Sequence, residues 1–234
     1  MKQLKWLSQK LYFVPKATLN IKAKEALERF NTLLKDFQNP ILLNLGCGER
    51  FLGNRSLDLQ MIETIINFDI EDFPNVDVVG DALNLPFKSD RFHGIICQAV
   101  LEHVENPGVV VEGIYRILKK GGYIYAEIPF VQGYHPSPND FYRFSMEGLD
   151  KLFWKFSRIE LGVSVGPSSA LSWILREYLT GILTGFSQNR RVRALAMFIS
   201  GWMTFPIKYL DILFAKRPEA HRIASGLYFL GRKT

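Results

Sequence analysis

Short apolar runs alternate with helical stretches between residues 41 and 165, and this alternation limits the fold more than any other feature. Unbroken apolar runs of about five residues are typical of strands buried on both faces of a parallel sheet. The pattern therefore predicts an α/β protein with a doubly wound, mostly parallel sheet of about seven strands. The predicted strands cover residues 41–45, 65–69, 76–79, 92–98, 122–128, 158–165 and 227–230.

Two helical patterns precede this region. Leucines spaced three and four apart predict a short, basic, amphipathic helix over residues 2–14, and Asn20 is a candidate cap for a second helix that ends before Pro40. Inside the sheet region, proline and serine starts predict helices over about 107–119 and 145–156.

The chain divides by composition into four parts. We expect N-terminal basic helices in 1–40, a core in 41–166, a helical insertion in 167–224 and a final core strand in 225–234. The longest uncharged run in the insertion, 194–207, would extend only ~21 Å as a helix, against ~30 Å for a hydrocarbon core. This length predicts an interfacial or re-entrant helix, or else a helical cap buried on the core or in a homodimer interface.

The net charge of +6 is unevenly distributed. The first 40 residues carry +5, residues 41–169 carry −6 and residues 170–234 carry +7. An enzyme acting on nucleic acid is expected to be basic around its site, so this class is disfavoured. Basic flanks around an acidic centre predict instead that the two ends contact an anionic membrane surface.

The cysteine and histidine positions indicate the redox state of the compartment and whether a metal site is expected. The two cysteines, Cys47 and Cys97, fall at predicted strand ends in the core, which predicts a reducing, cytoplasmic compartment without disulfides. Lysines interrupt the N-terminal segment, so no secretory signal is expected there. No cluster has the Cys/His spacing of a metal site, and none is expected.

A glycine-rich turn directly follows the first predicted strand. Gly46 and Gly48 let the backbone turn tightly and approach a ligand, and Asp69 ends the next strand 21 residues after Gly48. An acid at this distance can accept hydrogen bonds from the ribose of an adenosine cofactor. The plainer alternative is a tight turn with a surface aspartate. A dinucleotide site needs a third glycine where Phe51 stands, which disfavours an NAD-dependent oxidoreductase.

A pair at dehydrogenase spacing, Tyr115 and Lys119, is interpreted as an ordinary helical pair in the predicted helix over 107–119.

Five ordered motifs connect these features: NLGCG, NFDIE, VVGDALNLPF, IICQAVLEHVENP and ILKKGGYIYAEIP. Their order over residues 41–165 resembles that of class I S-adenosylmethionine (SAM)-dependent methyltransferases, and most closely the ubiquinone/menaquinone-biosynthesis branch. The resemblance implies a Rossmann-like fold, SAM as cofactor and methyl transfer. Two positions depart from the family pattern, since Asn44 and His93 stand where acids are common.

The resemblance also implies roles for individual residues. Gly46, Cys47 and Gly48 would lie against the methionine part of SAM, Asp69 would hold the ribose and Ile70 would lie against the adenine. Asp81 would take the adenine amino group, the Ala82 backbone would face the ring, and Gln98 would close the site.

The loop after the fifth strand carries the candidate catalytic residues. His135 is the candidate general base, while His103 is a second candidate for which a structural role is the alternative. Asp140, Tyr142 and Arg143 are expected to orient the base and bind the acceptor. The plainer alternative is a proline-stiffened lid whose polar residues satisfy their own backbone.

Together these observations predict a peripheral membrane enzyme on the inner face of the membrane. Its expected reaction is O-methylation of a lipid, a lipid-linked glycan or another small acceptor. A catalytically silent SAM-binding scaffold at a membrane remains the alternative.

Overall fold

The computed structural model describes residues 13–49, 62, 64–185, 187 and 189–234. Most of the helix predicted over 2–14 lies outside these residues, as does Phe51.

One mixed sheet of seven strands organises the described chain, in the order β3-β2-β1-β4-β5-β7-β6. The first five strands are parallel, whereas β7 is antiparallel to both β5 and β6. This arrangement confirms the predicted doubly wound, mostly parallel α/β fold. The strands are β1 (Ile41–Leu45), β2 (Thr64–Asp69), β3 (Val78–Val79), β4 (Phe92–Gln98), β5 (Leu118–Pro129), β6 (Ser157–Val165) and β7 (Gly226–Arg232).

Helices cover both faces of the sheet. Helix α1 (Ile21–Leu33) packs Phe30 against Tyr125 on one face. Gly94 permits this approach, because a Cβ there would lie 2.9 Å from Phe30 Cζ. On the other face, α2 (Pro107–Ile117) buries Val110, Ile114 and Ile117 at helical spacing.

The ends of two expected helices are corrected. Helix α2 ends at Ile117 rather than 119, because Leu118 already pairs with Phe92 in the sheet. Lys119 therefore lies on β5, where its amine contacts the His93 imidazole, and it does not form a helical pair with Tyr115.

The helix predicted over 145–156 is α3 (Met146–Leu152), begun by Ser145, whose hydroxyl accepts from Gly148 N. Asn20 precedes α1 without a capping side-chain bond.

Helices occupy the chain between β6 and β7. Helix α4 (Pro167–Thr184) is followed by α5 (Arg190–Thr204), a 3-10 turn, the short α6 (Asp211–Phe214) and a last 3-10 turn. A polar seam joins α4 to α5, where the hydroxyls of Thr180 and Ser200 lie 2.6 Å apart. Within the described chain, no helix has both the length and the apolar character that crossing a membrane requires.

The start of α4 is held by one buried carboxylate. Asp211 accepts hydrogen bonds from the backbone nitrogens of Ser168 and Ser169 and from the Ser169 hydroxyl. A carboxylate at a helix N-terminus accepts hydrogen bonds from the free N–H groups of the helix and interacts favourably with the helix dipole. This contact fixes the later helices onto the end of β6.

Candidate active site

A cavity of about 640 Å³ opens at the carboxyl ends of the central strands. It lies where the strand order reverses between β1 and β4, the place where ligands bind in open α/β sheets. Its volume suits a small-molecule cofactor. The cavity is lined by Leu45, Gly46, Gly48, Glu49, Phe68, Asp69, Ile70, Glu71, Phe73, Gly80, Asp81, Ala82, Ala99, Val100, His103, Val104, Ser137 and Pro138.

The glycine turn forms one wall of this cavity. Gly46 and Gly48 have φ values of 71° and 65°, in the left-handed region that glycine adopts without strain. The nitrogens of Gly46 and Cys47 both donate to the Phe68 carbonyl, at 2.8 and 3.1 Å, which ties the turn to β2. A Cβ on Gly46 would lie 2.1 Å from Val100 Cγ2, so only glycine lets the turn approach the loop after β4 this closely.

Asp69 lies at the centre of the wall and is only 9% exposed. Its carboxylate accepts hydrogen bonds from Gly48 N at 2.7 Å and Glu71 N at 3.0 Å. Each carboxylate oxygen keeps a further lone pair, so ribose hydroxyls can still donate to it. With Glu49 and Asp81, the cavity is lined by four acidic side chains, which favours a ligand that carries positive charge.

Other residues expected to bind the cofactor also reach this cavity. Ile70 and Ala82 line it, and Ile70 is 58% exposed, leaving an apolar surface for a flat ring. Asp81 lines it as well, while its Oδ1 accepts from Leu83 N at 2.9 Å and begins the turn after β3.

Cys47 is not among the described lining residues. Burial, followed by the charge of Asp69, raises the pKa of the Cys47 thiol to about 11. This side chain is therefore a poor nucleophile at neutral pH.

Two polar residues at the strand ends hydrogen-bond to neighbouring strands. Gln98 Nε2 donates to Glu127 at 2.8 Å, and Gln98 is not among the lining residues of the cavity. Asn44, buried on β1, donates to the side chain of Asn67 on β2. The Asn44 amide thus joins the two strands, where the family pattern has an acid near the cofactor.

A second group of side chains lies at the mouth of the cavity. Glu102 is fully buried, and His103 Nε2 and His135 Nε2 lie 3.6 and 4.0 Å from its Oε1. The two imidazole rings are perpendicular, with centroids 5.5 Å apart. Burial raises the pKa of the Glu102 carboxyl to about 7. The structure thus brings together the two candidate catalytic histidines and adds a glutamate to them.

Backbone carbonyls fix the tautomers of both histidines. His103 Nδ1 lies 2.5 Å from Asn139 O, and His135 Nδ1 lies 2.7 Å from Gly133 O. A carbonyl oxygen only accepts, so in the neutral ring each Nδ1 carries the hydrogen and each Nε2 carries a lone pair. At His135 the 2.7 Å contact with Gly133 O is shorter than the 3.3 Å approach of Arg143 Nη2, a donor, to the same Nδ1. Both Nε2 atoms are therefore proton acceptors or ligand atoms.

The polar residues of the loop after β5 hold that loop in place. Asp140 accepts two bonds from Arg143, which keep the pKa of its carboxyl well below the usual range. Its Oδ2 also accepts from the backbone nitrogen of His135 at 2.9 Å but lies 3.8 Å from the imidazole. Asp140 therefore positions the His135 backbone, while the Gly133 carbonyl orients the ring. Tyr142 donates its hydroxyl to Glu105 O.

Among the described residues, neither His135 nor the Asp140, Tyr142 and Arg143 side chains line the cofactor cavity itself, but Ser137 and Pro138 of the same loop do. Sequence reasoning missed these two residues and Glu102. The sequence Leu101-Glu102-His103-Val104 was a usable signal for Glu102, because it places a charged residue within an apolar segment next to a histidine. A buried charge usually has a partner, and the adjacent histidine is a candidate for it.

Residues 43–126 match the family of methyltransferase domains. A protein of unassigned function from Methanocaldococcus jannaschii is 30% identical over 124 residues, which are 50% of this chain and 55% of that protein. The chain thus spans about half the length of this curated relative. The family match is to the general domain and does not distinguish the ubiquinone/menaquinone branch.

Solved structures share the fold at low identity. A putative sarcosine dimethylglycine methyltransferase from Galdieria sulphuraria has a TM-score of 0.57 and 12% identity, with 99% of this chain and 97% of that chain covered. Phosphoethanolamine N-methyltransferase 2 from Haemonchus contortus, in complex with SAM, has a TM-score of 0.53 and 19% identity, with coverage of 88% and 52%. The 4+2 cyclase SpnF has a TM-score of 0.52 and 17% identity, with coverage of 89% and 81%.

Proposed function

We propose that this chain, whose residues 43–126 match a methyltransferase domain, is a class I SAM-dependent methyltransferase. In this proposal it methylates a hydroxyl group of an acceptor held at an anionic membrane surface. The acceptor is a lipid or a lipid-linked glycan. The observation that carries this proposal is an exposed apolar face on the helices between β6 and β7, which begins beside the candidate catalytic histidines.

The lining of the cavity supports the assignment of the cofactor-binding residues. In this proposal Asp69 holds the ribose, Ile70 lies against the adenine and Asp81 takes its amino group, because all three line one cavity. Gly46, Cys47 and Gly48 form the backbone turn that faces the methionine part. Ala82 contributes its backbone to the adenine side. Gln98, which donates to Glu127 at the end of β4, lies outside the described lining of the cavity.

The histidines at the cavity mouth support oxygen as the acceptor atom. A hydroxyl must lose its proton during methyl transfer, and the neutral tautomer favoured by the backbone contacts gives His103 and His135 each an Nε2 lone pair that can accept it. The Asp140–Arg143 pair and Tyr142 hold the loop that places His135. In this proposal these three residues form the wall against which the acceptor lies.

The apolar face consists of large hydrophobic side chains that are each more than two-fifths exposed. Contiguous exposed apolar surface flanked by positive charge is typical of helices that lie in a membrane interface. Exposed Arg190, Arg191 and Arg193 begin α5 at one border of this face, and Lys216 and Arg217 follow α6. The face comprises Leu171, Ile174, Tyr178, Ile182, Leu183, Val192, Leu195, Ile199, Trp202, Met203, Tyr209, Leu210, Ile212, Leu213, Phe214 and Ile223.

The apolar face reaches the site through α4. Trp173 on this helix lies 5.6 Å, centroid to centroid, from the His135 ring. Leu171 and Ile174 flank Trp173 in sequence and are 54% and 41% exposed. An acceptor whose lipid part lies along this face therefore presents its polar head close to the histidines.

Sedimentation with vesicles and methylation of an acceptor test the two parts of the proposal. We expect the purified chain to sediment with anionic vesicles and much less with neutral ones, and Met203→Glu with Leu213→Glu to abolish sedimentation. Trp154→Glu is the matched control, because Trp154 is 71% exposed but lies outside the apolar face. Equal sedimentation of the double variant and the control would refute a membrane-facing role, and a dimer that dissociates in the double variant would assign the face to a second copy.

The methyl-transfer part is measured separately, as formation of S-adenosylhomocysteine with lipid and glycan acceptors. We expect His135→Ala to lower turnover much more than SAM affinity, since His135 lies beyond the described lining of the cofactor cavity. Unchanged turnover in His135→Ala would remove this residue from the reaction. SAM binding without turnover of any acceptor would instead identify a silent scaffold.

A further inference from the structure

The buried glutamate and the two histidines at the cavity mouth place three electron-pair donor atoms close to one another. We infer that Glu102, His103 and His135 form a binding site for a divalent transition-metal cation. The site deepens the proposed function, and its part in catalysis rests on that function. In the metal-bound chain both Nε2 lone pairs are used as ligands, so the cation takes the place of a histidine base in activating the acceptor hydroxyl.

The first step is the buried Glu102 carboxylate, which in its charged form is an electron-pair donor that lies next to two imidazole nitrogens. Within the described chain, neither carboxylate oxygen of Glu102 has a hydrogen-bond partner, although the side chain is fully buried. In the neutral rings the Nδ1 hydrogens are donated to Asn139 O and Gly133 O, so the atoms that face the carboxylate are Nε2 atoms with a lone pair. A buried acceptor without a donor is unfavourable, and more so when it is charged. A cation between the three atoms removes this cost.

The second step is the spacing of the ligand atoms. One nitrogen from each histidine and one Glu102 oxygen all lie within 4.8 Å of one another. Bonds of about 2.1 Å to a tetrahedral zinc ion place neighbouring ligand atoms about 3.4 Å apart. The distances of 3.6 Å from His103 Nε2 and 4.0 Å from His135 Nε2 to Glu102 Oε1 need only small side-chain shifts to reach this value.

The third step is the shell around the ligands. Metal-binding histidines usually donate their second ring nitrogen to a carbonyl or carboxylate, as both histidines do here. Arg143 Nη2 lies 3.3 Å from His135 Nδ1, but this guanidinium is paired with Asp140 and adds little net charge near the site. Two imidazoles and a carboxylate suit zinc, iron or manganese ions better than magnesium, which prefers oxygen ligands.

The fourth step is the access that the site allows. His103 lines the cofactor cavity, and the His103 and His135 side chains are 12% and 27% exposed. Three protein ligands leave at least one coordination position open, which is the arrangement of catalytic rather than structural metal sites. Because His103 lines the cofactor cavity, an acceptor in that cavity could reach such a cation.

A cation there would bind the acceptor oxygen and favour loss of its proton to water. The electron pair of that oxygen then forms the new bond to the methyl carbon of SAM. The carbon–sulfur bond breaks, and its electron pair remains on the sulfur of S-adenosylhomocysteine. The products are the methyl ether, S-adenosylhomocysteine and one proton.

Zinc binding to the untagged full chain tests the inference without reference to activity. The protein is stripped with a chelator and then titrated with Zn²⁺ in competition with a chromophoric chelator, and Mg²⁺ is titrated in parallel. We expect one Zn²⁺ per chain, and at least about 100-fold weaker binding in Glu102→Gln and His135→Gln. His221→Gln is the matched control, because His221 is an exposed histidine with its Nδ1 on Pro218 O and lies outside the cluster.

Glu102→Gln also separates metal binding from folding. Glutamine keeps the shape of the side chain and offers an amide hydrogen to a facing Nε2 atom, so we expect this variant to remain folded by circular dichroism. Zn²⁺ should raise the unfolding temperature of the wild type and of His221→Gln but not that of Glu102→Gln.

The outcomes distinguish this inference from the proposed function. Absence of stoichiometric Zn²⁺ in the wild type, or equal affinities in Glu102→Gln and His221→Gln, would overturn the metal site. Acceptor methylation by such a metal-free wild type would leave the proposed function standing alone. Zn²⁺ bound through the cluster in a chain that methylates no acceptor would uphold the site and refute the function.

Discussion

Replacing Gly46 by alanine tests the close approach on which the cofactor cavity depends. An alanine at φ 71° costs about 1–2 kcal/mol, because its Cβ crowds the following carbonyl. The new Cβ also lies 2.1 Å from Val100 Cγ2, and displacing a packed side chain costs about 1–3 kcal/mol more. We therefore expect Gly46→Ala to lower the free energy of unfolding by about 2–5 kcal/mol.

Gly48→Ala is the matched control for this prediction. Gly48 has a similar φ of 65°, but its Cβ would meet no described atom within 4 Å, so only the backbone cost of about 1–2 kcal/mol applies. In a Val100→Ala background the clashing methyl is gone, and Gly46→Ala should cost no more than Gly48→Ala does.

Urea unfolding followed by circular dichroism gives the loss in unfolding free energy for Gly46→Ala, for Gly48→Ala, and for Gly46→Ala in the Val100→Ala background relative to Val100→Ala alone. Equal losses for Gly46→Ala and Gly48→Ala would refute the steric argument. The steric argument is also refuted if Gly46→Ala loses as much unfolding free energy in the Val100→Ala background as it does in the wild type.

Three further changes test other parts of the structure. Asp69→Ala should weaken SAM binding about 10- to 100-fold in calorimetric titration, because it removes a hydrogen-bonded charge from the cavity wall, whereas the exposed Asp72→Ala should not. Asp211→Ala should lower the free energy of unfolding by about 2–4 kcal/mol, since three donors at the start of α4 lose their acceptor, and the exposed Glu219→Ala should be neutral in the same urea assay. Burial raises the pKa of the Glu127 carboxyl in the folded chain above its value in the unfolded chain. The folded chain therefore binds this proton more tightly, and it loses stability as the pH rises from the unfolded pKa through the folded pKa. Glu127→Gln should therefore gain stability relative to the wild type as the pH rises above the unfolded pKa of 4.5, and a constant difference in urea midpoints would contradict this.

The cofactor side of the site was largely predictable because its signals are local. Gly46, Gly48 and Asp69 stand at fixed distances from strands whose apolar runs are visible in the sequence, and a parallel sheet brings their carboxyl ends to one edge. The strand bounds were predicted within a few residues for the same reason. Helix α2 was predicted two residues too long, because the pairing of Leu118 with Phe92 is a tertiary contact that helix periodicity does not contain.

The acceptor side depends on contacts between distant residues. His135 meets Glu102 across 33 positions of sequence, and its ring is oriented by the Gly133 carbonyl rather than by Asp140, which had been the expected partner. A backbone carbonyl has no signature in the sequence, so this orientation was not predictable. The same limit explains why the metal cluster was not expected, since its ligands do not share the short spacing of a sequence motif.

These two sides of the site are carried by different kinds of structure, and this separation bears on how the chain recognises its acceptor. The cofactor wall belongs to buried strand ends whose geometry is fixed by the sheet, as the bonds from the glycine turn to Phe68 show. In the proposed function, the acceptor wall is a loop held by the Asp140–Arg143 pair, and its His135 ring lies against Trp173 of α4. Because α4 also carries part of the exposed apolar face, a surface that binds this face can alter the acceptor wall and leave the cofactor wall unchanged. Membrane binding is therefore expected to change acceptor turnover more than it changes SAM affinity.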